Sequence, residues 1–165
     1  MTASLGISAH YHDAAACLVV DGEIVAAAEE ERFSRVKHDA SFPKRAIAYC
    51  LAEAPRLDRL DAIVFYEKPL RRLDRSLEAF LAIAPRGARV FARALPRLLR
   101  YKLMPGLEIE RALDELRMKG PAVTYVEHHE AHAASAFLAS AFEEAAILTL
   151  AGLKLVHQDQ DAALT

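Results

Sequence analysis

The 165 residues are enough for one domain with a real core. A content of 53% hydrophobic and 27% charged residues describes an ordinary soluble globular chain. Twenty-one Lys and Arg against 23 Asp and Glu leave a formal charge of −2, so no strong overall field draws in nucleic acid. No stretch reaches the roughly 18 apolar residues that a membrane helix needs. The opening MTASLGISAHYHD lacks the basic and apolar regions of a secretion signal. Cys17 and Cys50 lie in apolar surroundings and predict buried free thiols rather than a disulfide scaffold. The expected location is cytoplasmic, with neither nucleic acid nor membrane as partner.

In chain order, SLGISA predicts a first strand, AAACLVV a second and EIVAAAEE a third. The Asp21-Gly22 pair between the last two is a strong hairpin signal. SRVKHDAS reads as a polar loop. FPKRAIAYCLAEA predicts a helix, with Pro43 near its start and Ala46, Ile47, Cys50 and Leu51 at helical spacing. DAIVFY is a buried strand. Residues 70–119 read as a mostly helical insertion, interrupted by Pro85, Pro96 and Pro105. AVTYV predicts another strand, HHEAHAASAFLAS a helix and AAILTL, residues 145–150, a last strand. The order β-β-β-α-β-helices-β-α-β predicts an α/β fold with a mixed sheet, antiparallel on one side. It is the order of a ribonuclease-H-like lobe, the half-unit of the actin, Hsp70 and sugar-kinase fold. Residues 1–150 would form this lobe. The 15 residues that follow cannot build a second one, so the expectation is of a chain cut short.

Four stretches bear on chemistry. In HYHDAA, His10, His12 and Asp13 lie between the first two strands, where a His beside a carboxylate serves either as a general acid or base or as part of a polar turn. In EEERFSRVKHD, Glu29 to Glu31 precede Arg32, Arg35, Lys37, His38 and Asp39. Such density reads either as a solvated loop or as an anion site with Arg32 and Lys37 facing phosphate or carboxylate oxygens. In VEHHEAHAASAF, His128 and His132 are four apart, one turn apart on one helix face. The pair suits Zn or Fe, but a single His pair is a weak metal signal, since structural sites take four protein ligands and catalytic sites usually three. Ser135 falls on the same face, with Ala131, Ala134 and Leu138 beside it to pack on the sheet. Finally, residues 68–102 hold ten Lys or Arg against two acids. Arg86, Arg89, Arg93, Arg97 and Arg100 form one face, with Val90, Phe91, Ala94, Leu95, Leu98 and Leu99 opposite. Pro96 is expected to bend or split that helix. The stripe reads as a solvated basic face or as a site for an acidic partner, an anionic membrane surface or, as the weakest reading, nucleic acid.

The stretches LGISAHYHDAAACLVVDGEIVAAAEEERFSRVKHDASFP, AIAYCL, VFYEKPL and VEHHEAHAASAFLASAFEEAAILTL together resemble the O-carbamoyltransferase family that includes nodulation protein U and the carbamoyltransferases of aminoglycoside and cephamycin biosynthesis. The resemblance runs from about Leu5 to Leu150. It implies a larger protein whose second domain makes carbamoyl adenylate from carbamoyl phosphate and ATP. The domain resembled here moves the carbamoyl group to a hydroxyl of a small-molecule acceptor. His128 and His132 match the family's H-x-x-x-H metal pair, usually for iron or another divalent metal, completed there by a later Asp. His12 matches a His that assists deprotonation of the acceptor, and Lys37 a basic position near the intermediate. Asp13, in the turn after the first strand, and Arg32, in the anion-site reading of the charged loop, are the expected cofactor-binding residues.

The pattern departs after AILTL, where the family continues with a phosphate loop close to Asp-Gly-Val-Gly-Glu. Ala151 stands in place of the Asp, Gly152 remains, and residues 151–165 form a divergent tail. Three readings follow. One is an amino-terminal fragment of the enzyme, inactive alone. One is half of a split enzyme completed by a complementary polypeptide or a second copy. One is a non-catalytic module that binds an anion, a metal or a partner.

Overall fold

A computed structural model of the protein describes residues 1–10, 12–69, 77–78, 80–82, 84, 86–102 and 105–149, without the side chains of 94 and 97–102. Residues 70–76 of the expected insertion, Leu150 and the whole tail 151–165 lie outside the described residues. The described chain divides into two compact units, Met1–Val126 and the residues from Glu127 onward.

The first unit opens with β1 (Ala3–Ser8), β2 (Ala15–Val20) and β3 (Glu23–Glu29). Asp21 and Gly22 both have positive φ, 50° and 87°. Two left-handed residues give the turn whose twist matches the flanking strands, so the Asp-Gly pair makes the hairpin it predicts. The sheet is completed by β4 (Ala62–Phe65) and β5 (Thr124–Tyr125) in the order β3-β2-β1-β4-β5. β2 runs antiparallel to β1 and β3, while β1, β4 and β5 run parallel. The fold is therefore α/β on a five-stranded mixed sheet.

Side chains alternate along β1, with Ala3, Leu5 and Ile7 buried and their neighbours half-buried, as a pleated strand with one better-covered face requires. After α1 (Glu31–Ser34), α2 (Lys44–Ala52) packs on β2 and β3 through Ala46, Ile47, Cys50 and Leu51, the residues whose spacing predicted it. Cys50 is buried, and its thiol donates to the carbonyl oxygens of Ala16 and Ala26 at 3.4 and 3.6 Å. Burial pushes that thiol above its ordinary pKa, the state of an inert structural cysteine.

The structure corrects several expectations. The helices α3 (Ala88–Lys102) and α4 (Pro105–Glu115) fall in the expected insertion. Of these, α4 contributes to the main core, where Ile109 and Leu113 join Leu5, Leu18 and Ile47. Pro96 does not split α3. A proline removes one ladder hydrogen bond, and the bonds on either side keep this helix in one piece. Val90, expected on its apolar side, is exposed. β5 has two residues, not the five of AVTYV. Residues 145–149 form no strand, and Ile147 and Leu148 are exposed. In the second unit, α5 (His128–Phe137) buries no residue, and Leu138, expected to pack on the sheet, is 79% exposed.

Candidate functional site

The register of the sheet creates the site. Ser8 at the end of β1 pairs with Ala15 at the start of β2, and Ala15 pairs with Glu29 at the end of β3. The loop after β1 and the segment after β3 therefore leave the sheet from the same edge. Two backbone bonds stitch them together: the His10 N–H donates to the Ala40 carbonyl (3.0 Å) and the Ala14 N–H to the Asp39 carbonyl (2.8 Å). The carboxyl end of a parallel strand is where α/β sheets most often present functional groups.

At this edge Asp13 is the hub. The His12 Nδ1–H donates to Asp13 Oδ2 at 2.7 Å, and the His38 Nδ1–H donates to Asp13 Oδ1 at 2.9 Å. The His38 backbone N–H donates to Glu31 Oε2 at 3.1 Å. Asp13, Glu31 and His38 bring one ligand atom each to within 4.8 Å of one another, the one such group of three among the described residues. The His38 hydrogen bond, followed by that from His12, holds the Asp13 carboxyl below its ordinary pKa. Reciprocally, the bond to Asp13 raises that of His38, with the charges of Asp13, Glu31 and Glu29 adding to it. The cluster thus pairs an ionised carboxylate with an imidazole biased toward its charged form.

Of the other expected residues, Lys37 is exposed on the same segment. Arg32 is exposed and pairs with Glu29 at 3.5 Å and Glu31 at 4.0 Å. His10 turns to α4 instead, where its Nε2 meets Glu108 Oε2 at 2.7 Å. Glu31 and His38 were not singled out in the sequence as partners of Asp13. They lie 18 and 25 positions from it, and only the hairpin register brings them together.

One further residue emerges here. Glu30, expected in a solvated acidic run, is buried. Its Oε2 accepts the backbone N–H groups of Arg45 (3.0 Å) and Ala46 (2.9 Å), the second and third residues of α2. Pro43 at the helix start offers no side-chain cap, so Glu30 supplies one from across the chain.

In the second unit, the Nε2 atoms of His128 and His132 face each other at 3.2 Å, their rings at 83°. With metal–nitrogen bonds of about 2.0–2.1 Å, two ligands at a roughly tetrahedral angle lie about 3.3 Å apart. The two nitrogens thus fit a pair of adjacent ligands on one ion. The Ser135 hydroxyl donates to the His132 carbonyl rather than joining the imidazoles. Of the basic stripe, Arg86, Arg89 and Arg93 are exposed; the side chains of Arg97 and Arg100 lie outside the described residues. No helix among the described residues is long and apolar enough to cross a membrane.

Residues 3–158 match the family described as Carbamoyltransferase N-terminus. The chain is 54% identical over 158 residues to an uncharacterized protein of Synechocystis sp., which covers 93% of this chain and 26% of that protein. It is 37% identical over 147 residues to nodulation protein NolNO of Sinorhizobium fredii, covering 86% of this chain and 19% of the relative. An uncharacterized 19.2 kDa protein of Rhizobium etli is 48% identical over 56 residues, 33% of each chain. The chain therefore spans 26% and 19% of the length of the first two relatives.

Proposed function

We propose a function from one premise: the chain belongs to the carbamoyltransferase N-terminus family. It carries the acceptor-activating part of an O-carbamoyltransferase, which moves a carbamoyl group from carbamoyl adenylate, formed from carbamoyl phosphate and ATP, to a hydroxyl of a small acceptor. The strand order β3-β2-β1-β4-β5, with β2 antiparallel to its neighbours, supports a ribonuclease-H-like lobe as the frame.

The observation that carries the reading is an imidazole, His12, held beside a carboxylate just past the carboxyl end of β1. In the step, the acceptor O–H gives its proton to His12 Nε2 while its oxygen forms a bond to the carbamoyl carbon. The bond from that carbon to the adenylate oxygen breaks, and AMP leaves with the electron pair. An imidazole is suited to this because its ordinary pKa lies near working pH. Lys37 and Arg32 supply cationic groups for the adenylate phosphate, with Arg32 exchanging its present acidic partners for it. His128 and His132 would hold a divalent metal, iron or another, which when bound supplies Lewis-acid polarisation.

The test is a chimera in which this chain replaces the matching segment of the Synechocystis relative. It is supplied with ATP, radiolabelled carbamoyl phosphate and a panel of hydroxylated acceptors. The expected result is label on an acceptor, lost in His12→Ala. Equal transfer by the His12→Ala chimera overturns the reading.

A further inference from the structure

We infer that Asp13 is a positioning residue for His12, itself held in place by His38, rather than a ligand of the nucleotide. The inference rests on the reading of His12 as the base.

The argument begins with donors and acceptors. Asp13 is ionised, so its oxygens only accept, and both imidazoles must donate to it. A neutral His12 that donates from Nδ1 carries its lone pair on Nε2. The Asp13 bond thus selects the tautomer whose Nε2 takes a proton, and it fixes the ring plane. Without it the two tautomers and several ring orientations compete. A bond to a single oxygen would leave the carboxylate able to rotate about its own axis. Here His38 takes the second oxygen, so Asp13 is gripped at both ends. His38 in turn is anchored through its backbone N–H on Glu31. The chain of restraint runs from α1 through Glu31, His38 and Asp13 to His12.

The backbone supports this reading. Asp13 and His38 both adopt left-handed φ, 51° and 55°. Non-glycine residues reach that region at a cost, and here it presents both side chains to one point. The ionisable groups that face this point are Asp13, Glu31 and Glu29 toward His38, and His38 and His12 toward Asp13.

Asp13→Asn is the informative variant. Asn tolerates the left-handed backbone almost as well as Asp. It keeps one acceptor oxygen and turns the other position into a donor, so one imidazole loses its partner. Ring-nitrogen NMR shifts on the chain report the tautomer directly. In the parent chain the neutral His12 ring is expected to carry its proton on Nδ1 and none on Nε2; the opposite tautomer overturns the inference without any variant. In Asp13→Asn the tautomer ratio of His12 shifts and the titration of His38 moves down. The signal of His10, tied to Glu108 elsewhere, is expected to stay in place and to certify the fold.

In the chimera, a positioned base contributes roughly 100- to 10,000-fold, and His12→Ala sets that ceiling. Asp13→Asn is expected to lower the transfer rate by roughly 10- to 1,000-fold, within that ceiling. The double variant should be no slower than His12→Ala alone, because Asp13 acts only through His12. If His12→Ala leaves transfer intact, the proposed function falls. If His12→Ala abolishes transfer while Asp13→Asn runs at the parent rate, or if the double variant is much slower than His12→Ala, the positioning role falls and the function stands.

Discussion

Removing the Glu30 carboxylate should cost more stability than removing any of its acidic neighbours. Glu30 is 5% exposed, and one oxygen accepts two amides at the start of α2, at 3.0 and 2.9 Å. Helix starts leave such amides without partners, and a missing cap costs about 0.5–2 kcal/mol. Bonds to a charged acceptor contribute about 1.5–3 kcal/mol each, though removing both strands amides that water partly recovers. Together these give about 2–4 kcal/mol for Glu30→Ala, a large share of a typical 5–15 kcal/mol. With a urea slope of roughly 2 kcal/mol/M, mid-range for a small protein, the midpoint should fall by about 1–2 M. Glu30→Gln keeps one carbonyl acceptor and loses the charge favoured at a helix start, so its cost should be smaller, about 1 kcal/mol. Glu29→Ala is the control. Its partner is the exposed Arg32 at 3.5 Å, and exposed pairs contribute about 0–1 kcal/mol. A Glu30→Ala midpoint no lower than that of Glu29→Ala would refute the capping role.

Three further outcomes are expected. The His38–Asp13 pair gives the fold a pH window: the folded pKa of Asp13 lies below its ordinary 3.8, so its contribution is present above that value and fades as pH falls through the lowered pKa. The folded pKa of His38 lies above its ordinary 6.5, so its contribution is complete below 6.5 and fades as pH rises through the raised pKa. The difference in urea midpoint between the parent and Asp13→Asn should therefore be largest between these limits, and a flat difference across pH would contradict the pairing. Arg35, just past α1, has φ 62° in a helix-ending position suited to glycine, and Arg35→Gly should raise stability by about 0.5–1 kcal/mol in the same assay. Iron or zinc loaded on the purified chain should be lost in His128→Ala and in His132→Ala alike, as read by metal analysis after gel filtration; retention by either variant removes that residue from the site.

Much of the sheet was legible because its signals are local. The Asp21-Gly22 turn, the spacing of Ala46, Ile47, Cys50 and Leu51, and the apolar runs of β1 to β4 each specify an element with no help from distant residues. Local signals failed where pairing decides. Residues 145–149 are mostly apolar like β4, yet β4 lies between β1 and β5 in the sheet while the later segment forms no strand. Glu30 and Glu29 are adjacent acids in one charged run. They differ because side chains alternate along an extended strand and then turn with the start of a helix. One goes under α2 and the other to the surface. Composition carries no trace of that difference. The candidate base was legible as a residue, through its likeness to a family pattern, but its partners were not, because 25 residues separate Asp13 from His38.

The distribution of strained backbone argues that this corner is built to hold its side chains still. Among the described residues, six non-glycine residues have positive φ, and four of them, His10, Asp13, Arg35 and His38, flank the segments that meet beyond β1 and β3. A left-handed residue costs about 1 kcal/mol, less for Asp. That much local cost persists only where the surroundings over-determine the conformation. The surroundings are identifiable: the His10–Ala40 and Ala14–Asp39 backbone bonds, the Glu30 amide bonded to the Ala14 carbonyl, and the His10–Glu108 contact that ties the loop to α4. The three backbone bonds act on the chain around Asp13, and the His10–Glu108 side-chain contact holds the loop that precedes it. His12 is exposed, and a mobile exposed imidazole makes a poor base because it is seldom in line with its substrate. On the reading of His12 as the base, the fold gives this exposed imidazole restraint in place of burial: the bonds above fix the backbone around Asp13, and His38, anchored on Glu31, fixes its carboxylate.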